Sequence, residues 1–183
     1  MTDSRVLAAM AHPLRRRLLD VLTVHGPATA TMIAERTGQT VANVSHHLRV
    51  LHGSGLLEEA PELARDRKQR WWRRTSASLR WSSHDFTRDP ADTAIAEAAQ
   101  SLNLDRHTNL VRTWLAAGED ERARWGDSAF STDRWLHLTP DELRQCAAEI
   151  TGVLDRWAGR RVPGDGRQRS PVFVFAHGVP ARP

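Results

Sequence analysis

The sequence predicts a mostly α-helical fold with a small β component, and two observations support this prediction. In several stretches, apolar residues recur at helical spacing behind a capping residue or a proline. Two short segments, 56–60 and 69–75, instead have the length and the flanking turns of a hairpin. At 183 residues the chain is long enough for two small domains, which we place at 1–80 and 81–183.

Three helices are predicted at the start of the chain. The first ends at Ala11, and the second begins at Pro13. The third opens at Ala28 or Thr29 and closes at Gly38, where a tight turn leads into the next helical stretch. A helix, a short turn and a second helix together make the helix-turn-helix arrangement.

The stretch from Gly38 to Gly55 is the most informative part of the sequence. Its large apolar residues predict one buried helical stripe: Val41, Val44, Leu48 and Leu51. The opposite face carries short hydrogen-bonding side chains and one long cation: Gln39, Thr40, Asn43, Ser45, His46 and Arg49. Such side chains read base edges in a major groove, although a polar helix face is more often only solvated. The adjacent His47 is expected to pack and to form a hydrogen bond inside the helix bundle.

A hairpin is predicted directly after this helix. Leu56–Ala60 and Gln69–Thr75 form its strands, and Pro61–Lys68 forms a polar tip, so the hairpin resembles a wing. We interpret Asp66 as the one residue that offsets the cations of the hairpin, which are Arg65, Arg67, Lys68, Arg70, Arg73 and Arg74. We expect Arg65, Arg67, Lys68 and Arg70 to contact the DNA backbone or a minor groove, and a solvated turn is the alternative.

Positive charge is concentrated in the first part of the chain. Residues 1–75 hold twelve Arg or Lys against seven Asp or Glu, a net charge of +5, whereas the remainder carries −1. Three arginines, Arg15–Arg17, form a basic strip near the start of the second helix, where they oppose the helix dipole and indicate an anionic partner. This asymmetry is typical of a domain that binds a polyanion.

Two strings of residues resemble a known family. In Leu7–Leu22, Pro13 is followed two positions later by the three arginines Arg15–Arg17. The segment Ser45–Leu51 reads Ser-His-His-Leu-Arg-Val-Leu. Together they resemble the winged helix-turn-helix repressors of the ArsR type over about residues 4–75. The resemblance implies a homodimer whose recognition helices enter successive major grooves of an inverted repeat, with dimer contacts from helices that flank the DNA-binding unit. It also implies repression that a small effector relieves.

The chain departs from the metal-sensing members of that family. Their paired-cysteine site has no counterpart, because the single cysteine, Cys146, lies outside residues 1–75. Asp105 and His107 begin the family's other ligand pattern, but Ala117 stands where its second histidine is expected. We therefore predict no metal site and no cofactor, and a metal-sensing repressor is the less favoured alternative.

The residues after the hairpin predict a helical extension with a short strand pair. Asp89 caps a first helix that we take as the dimer contact, with a bend or break at 103–105 as one alternative. Thr139–Glu142 is a capping box that opens a second helix with an apolar stripe. The segments Phe130–Leu138 and Pro171–His177 have strand character, and the latter is expected to pair with the former or across the dimer.

Aromatic residues are frequent in the extension: Trp114, Trp125, Phe130, Trp135, Trp157, Phe173 and Phe175. They predict either an apolar pocket for a small organic effector, with His107, His137 or His177 as a polar contact, or an ordinary small core. Residues in a recognisable catalytic setting are lacking, so we predict no enzymatic activity.

The sequence also restricts where the protein acts and what it binds. Apolar runs stay well short of the roughly 20 residues that span a bilayer, and we expect a cytoplasmic protein without a membrane partner. The predicted function is a homodimeric, sequence-specific repressor that binds double-stranded DNA. The alternative is a protein-interaction module on a winged-helix scaffold, since a fold does not determine a function.

Overall fold

The computed structural model describes residues 4–66, 69–75 and 90–182, which form two compact units. The first unit extends to Asn109, and the second begins at Leu110. The predicted fold class is confirmed, because the chain is mostly helical and has one small antiparallel sheet. The predicted domain boundary between residues 80 and 81 lies outside the described residues.

Four helices lie before the sheet hairpin. They are α1 (Ser4–Met10), α2 (Pro13–His25), α3 (Ala30–Thr37) and α4 (Val41–Gly53). Side chains at the residue before α2 and before α3 satisfy backbone N–H groups that a helix leaves unpaired at its start. The His12 Nδ1 atom accepts from the Leu14 N–H at 3.2 Å, and the Thr29 hydroxyl accepts from the Met32 N–H at 3.3 Å.

The sheet confirms the predicted hairpin and adds a third strand to it. The strands are β1 (Ala28–Thr29), β2 (Leu57–Glu59) and β3 (Trp71–Arg74), in the antiparallel order β1-β3-β2. β2 faces β3 with Leu57 opposite Arg74, and Thr29 of β1 lies opposite Trp71. A two-residue strand is too short to show an alternating pattern, which is why the sequence did not reveal β1.

The core of the first unit lies between these helices and the sheet. Its fully buried members include Leu18, Ile33, Val44, Leu48 and Leu51. The predicted stripe of α4 is therefore confirmed except at its first residue, since Val41 is 45% exposed. In the first turn of α4 that side chain lies beyond the core, and the buried side of the helix includes His47 instead.

The helix α5 (Pro90–Leu115) begins in the first unit and packs against α1 and α2. Ala96 is buried with Leu7 of α1. Two polar contacts connect α5 to α2: Arg106 donates to both carboxylate oxygens of Asp20 at 2.6 and 2.7 Å, and Arg16 donates to the side-chain oxygen of Asn103. α5 continues without interruption through residues 103–105, so the helix does not break there.

The second unit contains the end of α5, α6 (Glu119–Trp125) and α7 (Pro140–Gly159). The predicted capping box is confirmed, because the Thr139 hydroxyl accepts from the Glu142 N–H and the Glu142 carboxylate accepts from the Thr139 N–H at 2.7 Å. The apolar stripe of α7 is not buried, since Ile150 is 43% and Trp157 is 62% exposed. Cys146 is only partly buried.

The strand pair predicted within the extension is wrong. Neither Phe130–Leu138 nor Pro171–His177 is a strand within the described chain. An extended segment becomes a strand only when a neighbouring strand satisfies its backbone groups, and the described sheet pairs only residues of the first unit. The alternation of apolar residues indicated an extended backbone in these segments, but it could not show whether a neighbouring strand is present to pair with them.

The aromatic side chains of the extension do not form the small core that was one of the two predictions. Phe130 is 74% exposed, Trp135 is 68% exposed, and the described elements of this unit bury no side chain fully. Phe173 stacks on Phe175 with ring centroids 5.8 Å apart, and Arg160 lies over the Trp157 ring. These are surface contacts between neighbours in sequence.

Candidate nucleic-acid interface

A tight turn fixes how α4 begins. Gly38 adopts the left-handed conformation with φ +66°, which favours glycine, and its N–H donates to the Ala34 carbonyl. The Gln39 N–H donates to the same carbonyl at 3.1 Å. The Thr40 hydroxyl then caps α4 by accepting from the Asn43 N–H at 3.3 Å. The backbone on both sides of this turn is therefore held by contacts within the domain.

The two faces of α4 differ as the sequence predicts. Val44, His47, Leu48 and Leu51 are buried, whereas Thr40, Asn43, His46 and Arg49 are exposed and Gln39 and Ser45 are half-buried. Asn43 lies one turn from Gln39, and its side-chain Nδ2 donates to Gln39 Oε1 at 3.0 Å. The outer face is therefore a surface of hydrogen-bonding groups with one cation.

A cleft separates this surface from the hairpin. Its volume is about 650 Å³, and its walls come from the start of α3, the outer face of α4 and the hairpin. Ser45 and Arg49 of α4 face Arg65 and Arg70 of the hairpin across it. The fold thus brings together four residues that the sequence separates by up to 25 positions, and three of them are cations.

Sequence reasoning did not identify every residue of this cleft. Gln69, Trp71, Thr31 and Met32 also line it. Trp71 pairs with β1, and its buried indole Nε1 has no hydrogen-bond partner among the described residues. Trp71 lies in β3, and its position beside the cleft depends on pairing with β1, which is distant in sequence. A local sequence pattern therefore could not indicate that Trp71 lines the cleft.

The comparisons with known proteins agree with this geometry. Residues 10–60 match the family model described as a helix-turn-helix domain. These residues form a helix-turn-helix domain. The match covers α2, β1, α3, α4 and β2, and it therefore includes the turn and the outer face of α4. No curated protein matches the chain. A helix-turn-helix domain indicates a DNA-binding regulator in general.

Several cations of the hairpin are engaged within the helix-turn-helix domain and its wing. Arg73 pairs with Glu58 and with Glu62, both at 2.6 Å, and Arg70 lies 3.7 Å from Glu59. Arg74 donates to the Thr23 hydroxyl. The interpretation that Asp66 alone offsets the hairpin cations is therefore wrong, because Glu58, Glu59 and Glu62 of the hairpin also pair with them.

Arg65 and Arg70 remain exposed at the cleft. The other two predicted backbone contacts, Arg67 and Lys68, lie outside the described residues. The predicted site is thus described at Gln39, Thr40, Asn43, Ser45, His46, Arg49, Arg65 and Arg70, and its contacts with DNA stay a prediction.

The basic strip of α2 does not present three free cations. Arg15 donates to the carbonyls of Ala8 and Ala9 at the end of α1. A cation at the C-terminal end of a helix interacts favourably with the helix dipole. Arg16 is 8% exposed and faces α5. Only Arg17 of the three is exposed. The strip is therefore mainly structural.

Three histidines connect the start of α2 with α4. The rings of His12 and His47 lie 4.5 Å apart between centroids, and those of His46 and His47 lie 5.2 Å apart. His47 is packed as predicted, but its Nδ1 has no hydrogen-bond partner among the described residues. Burial lowers the pKa of His12, with a smaller contribution from Arg15. Burial, His12, Arg15 and His46 lower the pKa of His47.

These pKa shifts predict that acid destabilises the first unit. Because the folded pKa of each histidine lies below its unfolded value near 6.5, the unfolded chain binds more protons as the pH falls below that value. Stability is therefore fully present above about pH 6.5 and decreases as the pH falls through the folded pKa values. Melting temperatures measured from pH 7.5 to 5 should show this decrease.

Two substitutions test whether His12 and His47, and not the carboxylates of the domain, cause this loss of stability in acid. His12→Asn retains a side chain that caps α2, and His47→Gln retains a polar group at the buried position. Each should reduce the loss of stability between pH 6.5 and 5.5, whereas His25→Gln, at the exposed end of α2, controls for the loss of an imidazole. An unchanged pH slope in His12→Asn and His47→Gln would contradict the assignment.

The described residues contain no group of three or more His, Cys, Asp or Glu side chains positioned to hold a metal ion. The three histidines above therefore form a packed cluster with no metal-ligand geometry. In the part of the chain that the structure describes, no helix has both the length and the apolar surface to cross a membrane.

Proposed function

We propose that the protein is a sequence-specific transcriptional repressor that binds DNA as a homodimer. The observation that carries this proposal is the outer face of α4, where hydrogen-bonding side chains lie beside a cleft that holds Arg49, Arg65 and Arg70. Short polar side chains and arginines discriminate bases in a major groove, and further arginines beside them bind phosphates. In this proposal α4 is the recognition helix, and the hairpin is the wing.

The homodimer is supported by an apolar stripe on α5. Leu104, Val111 and Leu115 are 46%, 42% and 66% exposed, and their spacing of seven and four residues places them on one side of the helix. The same helix is held on α2 by Arg106 and Asp20. A second copy packed on this stripe would make the homodimer that the resemblance to ArsR-type repressors implies.

The proposal includes a small organic effector that releases the repressor from DNA. The aromatic residues expected to enclose it are exposed at Phe130, Trp135 and Trp157. The support for an effector is therefore the resemblance to ArsR-type repressors.

The first test is selection of random duplex DNA by the purified full chain at about 0.15 M salt. We expect enrichment of an inverted repeat whose half-sites are about 10 base pairs apart, because each recognition helix of a dimer enters one major groove. Sedimentation of the protein with one selected duplex should give two chains per site. Binding without enrichment, which vanishes as salt is raised, would favour the protein-interaction module.

Arg49 is predicted to supply base recognition. Arg49→Ala should weaken binding to the selected site by about 1–3 kcal/mol while changing non-specific binding much less, because a cation at a base edge discriminates sequence. The measurement is the dissociation constant on the selected duplex and on a scrambled duplex of equal length. Arg122→Ala in α6 removes the same charge from the second unit and serves as the control.

Arg65 provides the contrast within the same cleft. If its guanidinium contacts phosphate, Arg65→Ala should weaken both duplexes alike and reduce the slope of log affinity against log salt by about 0.9 per contact. Equal effects of Arg49→Ala and Arg65→Ala on the two duplexes would contradict the division between base recognition and backbone contact.

A further inference from the structure

We propose that the side-chain amides of Gln39 and Asn43 act as one unit that reads adenine in the major groove. We call these two residues the amide pair. The inference rests on the proposed function, because it assigns a base to a face that the proposal already places in DNA. It goes further by naming the base and the atoms that recognise it.

The backbone of the amide pair is fixed without DNA. Gln39 is held by its N–H bond to the Ala34 carbonyl at 3.1 Å, directly after the left-handed Gly38. Asn43 is held by its N–H bond to the Thr40 hydroxyl at 3.3 Å, in the first turn of α4. Recognition helices present base-contacting residues from this N-terminal end. The two amides therefore lie at the end of α4 that reaches bases first, Gln39 just before the helix and Asn43 in its first turn.

The hydrogen bond within the amide pair determines what each side chain can still offer. Asn43 Nδ2 donates one of its two hydrogens to Gln39 Oε1 at 3.0 Å. Asn43 keeps its other N–H and its Oδ1 acceptor, side by side in the plane of the amide. Gln39 keeps both N–H₂ donors and one further lone pair on Oε1.

Adenine alone matches the remaining edge of Asn43. In the major groove adenine presents an N6 donor beside an N7 acceptor, so Oδ1 accepts from N6 while the free Nδ2 hydrogen donates to N7. Guanine presents the two acceptors N7 and O6 at this edge, so the Asn43 Oδ1 acceptor would face the O6 acceptor without a hydrogen between them. The bond to Gln39 holds the Asn43 amide in this orientation before DNA binds, which reduces the ordering that binding requires.

The experiment compares base preferences of the full-length wild type with those of Asn43→Ala, Gln39→Met and Gln39→Glu. Each protein is used for selection from random duplexes, and affinities are then measured on the wild-type site and on duplexes with single base-pair changes. We expect one adenine per half-site whose replacement weakens wild-type binding by about 5- to 150-fold, the range for one bidentate contact. Asn43→Ala should remove that preference while binding to a scrambled duplex remains.

The two Gln39 variants test the coupling. Glutamate retains an oxygen that accepts from Asn43, so Gln39→Glu should keep the adenine preference even though its charge lowers affinity for every duplex. Methionine is similar in length but accepts no such bond, so Gln39→Met should reduce the preference by releasing Asn43. Both positions lie outside the core, and thermal melts confirm that each variant folds.

The outcomes distinguish this inference from the proposed function. A wild-type site without a preferred adenine, or an adenine preference that survives in Asn43→Ala, overturns the inference and leaves a sequence-specific repressor in place. Equal preferences in Gln39→Glu and Gln39→Met overturn the coupling within the amide pair. Absence of any selected sequence overturns the proposed function, and the inference falls with it.

Discussion

Leu48→Ala is expected to lower the free energy of unfolding of the first unit by about 2–5 kcal/mol. Leu48 is 0% exposed and belongs to the same buried cluster as Leu18, Ile33 and Val44. Truncation removes buried methyl groups and leaves a cavity that rigid neighbouring helices fill only in part. Since a small domain is stable by about 5–15 kcal/mol in total, this loss is a large fraction.

The adjacent residue is the matched control. Arg49 lies on the outer face of α4, so Arg49→Ala should change the free energy of unfolding by no more than about 0.5 kcal/mol. Urea denaturation followed by amide hydrogen exchange within residues 41–53 separates the first unit from the second. A loss below about 1 kcal/mol for Leu48→Ala, or equal losses for the two variants, would contradict the two-faced description of α4.

The parts of the fold that sequence reasoning predicted correctly are those that depend on nearby residues. Thr139 begins a capping box, and Gly38 makes the turn before α4. Each feature involves groups within five positions of one another, so the residue types alone indicate the contact. The polar outer face of α4 was predictable for the same reason, because helical spacing determines which side chains share a side.

The errors arose where the outcome depends on residues far apart in sequence. Arg16 is an arginine beside two others, and only Asn103 on α5 reveals that it faces inward. Arg73 is engaged because the strand register places Glu58 opposite it. The segment 171–177 has a strand-like pattern, but no local feature tells whether a partner strand exists. The cleft likewise required the hairpin to fold back beside α4.

Arg16→Met is expected to stabilise the first unit, by about 1–4 kcal/mol when combined with Asn103→Leu. The Arg16 guanidinium is buried, and its Nε and one terminal nitrogen have no hydrogen-bond partner among the described residues. Burial, followed by the nearby Arg106, lowers the pKa of Arg16 to about 10, although Asp20 acts in the opposite direction. A buried cation that is only partly paired costs more in lost hydration than its contacts return.

The combined variant matters because the single change leaves the Asn103 oxygen without its donor. Arg16→Met alone should therefore stabilise less than the pair, and Arg17→Met at the neighbouring exposed position should change the free energy of unfolding by about 0.5 kcal/mol or less. Urea denaturation measures all three. Strong destabilisation by Arg16→Met together with Asn103→Leu would contradict this prediction.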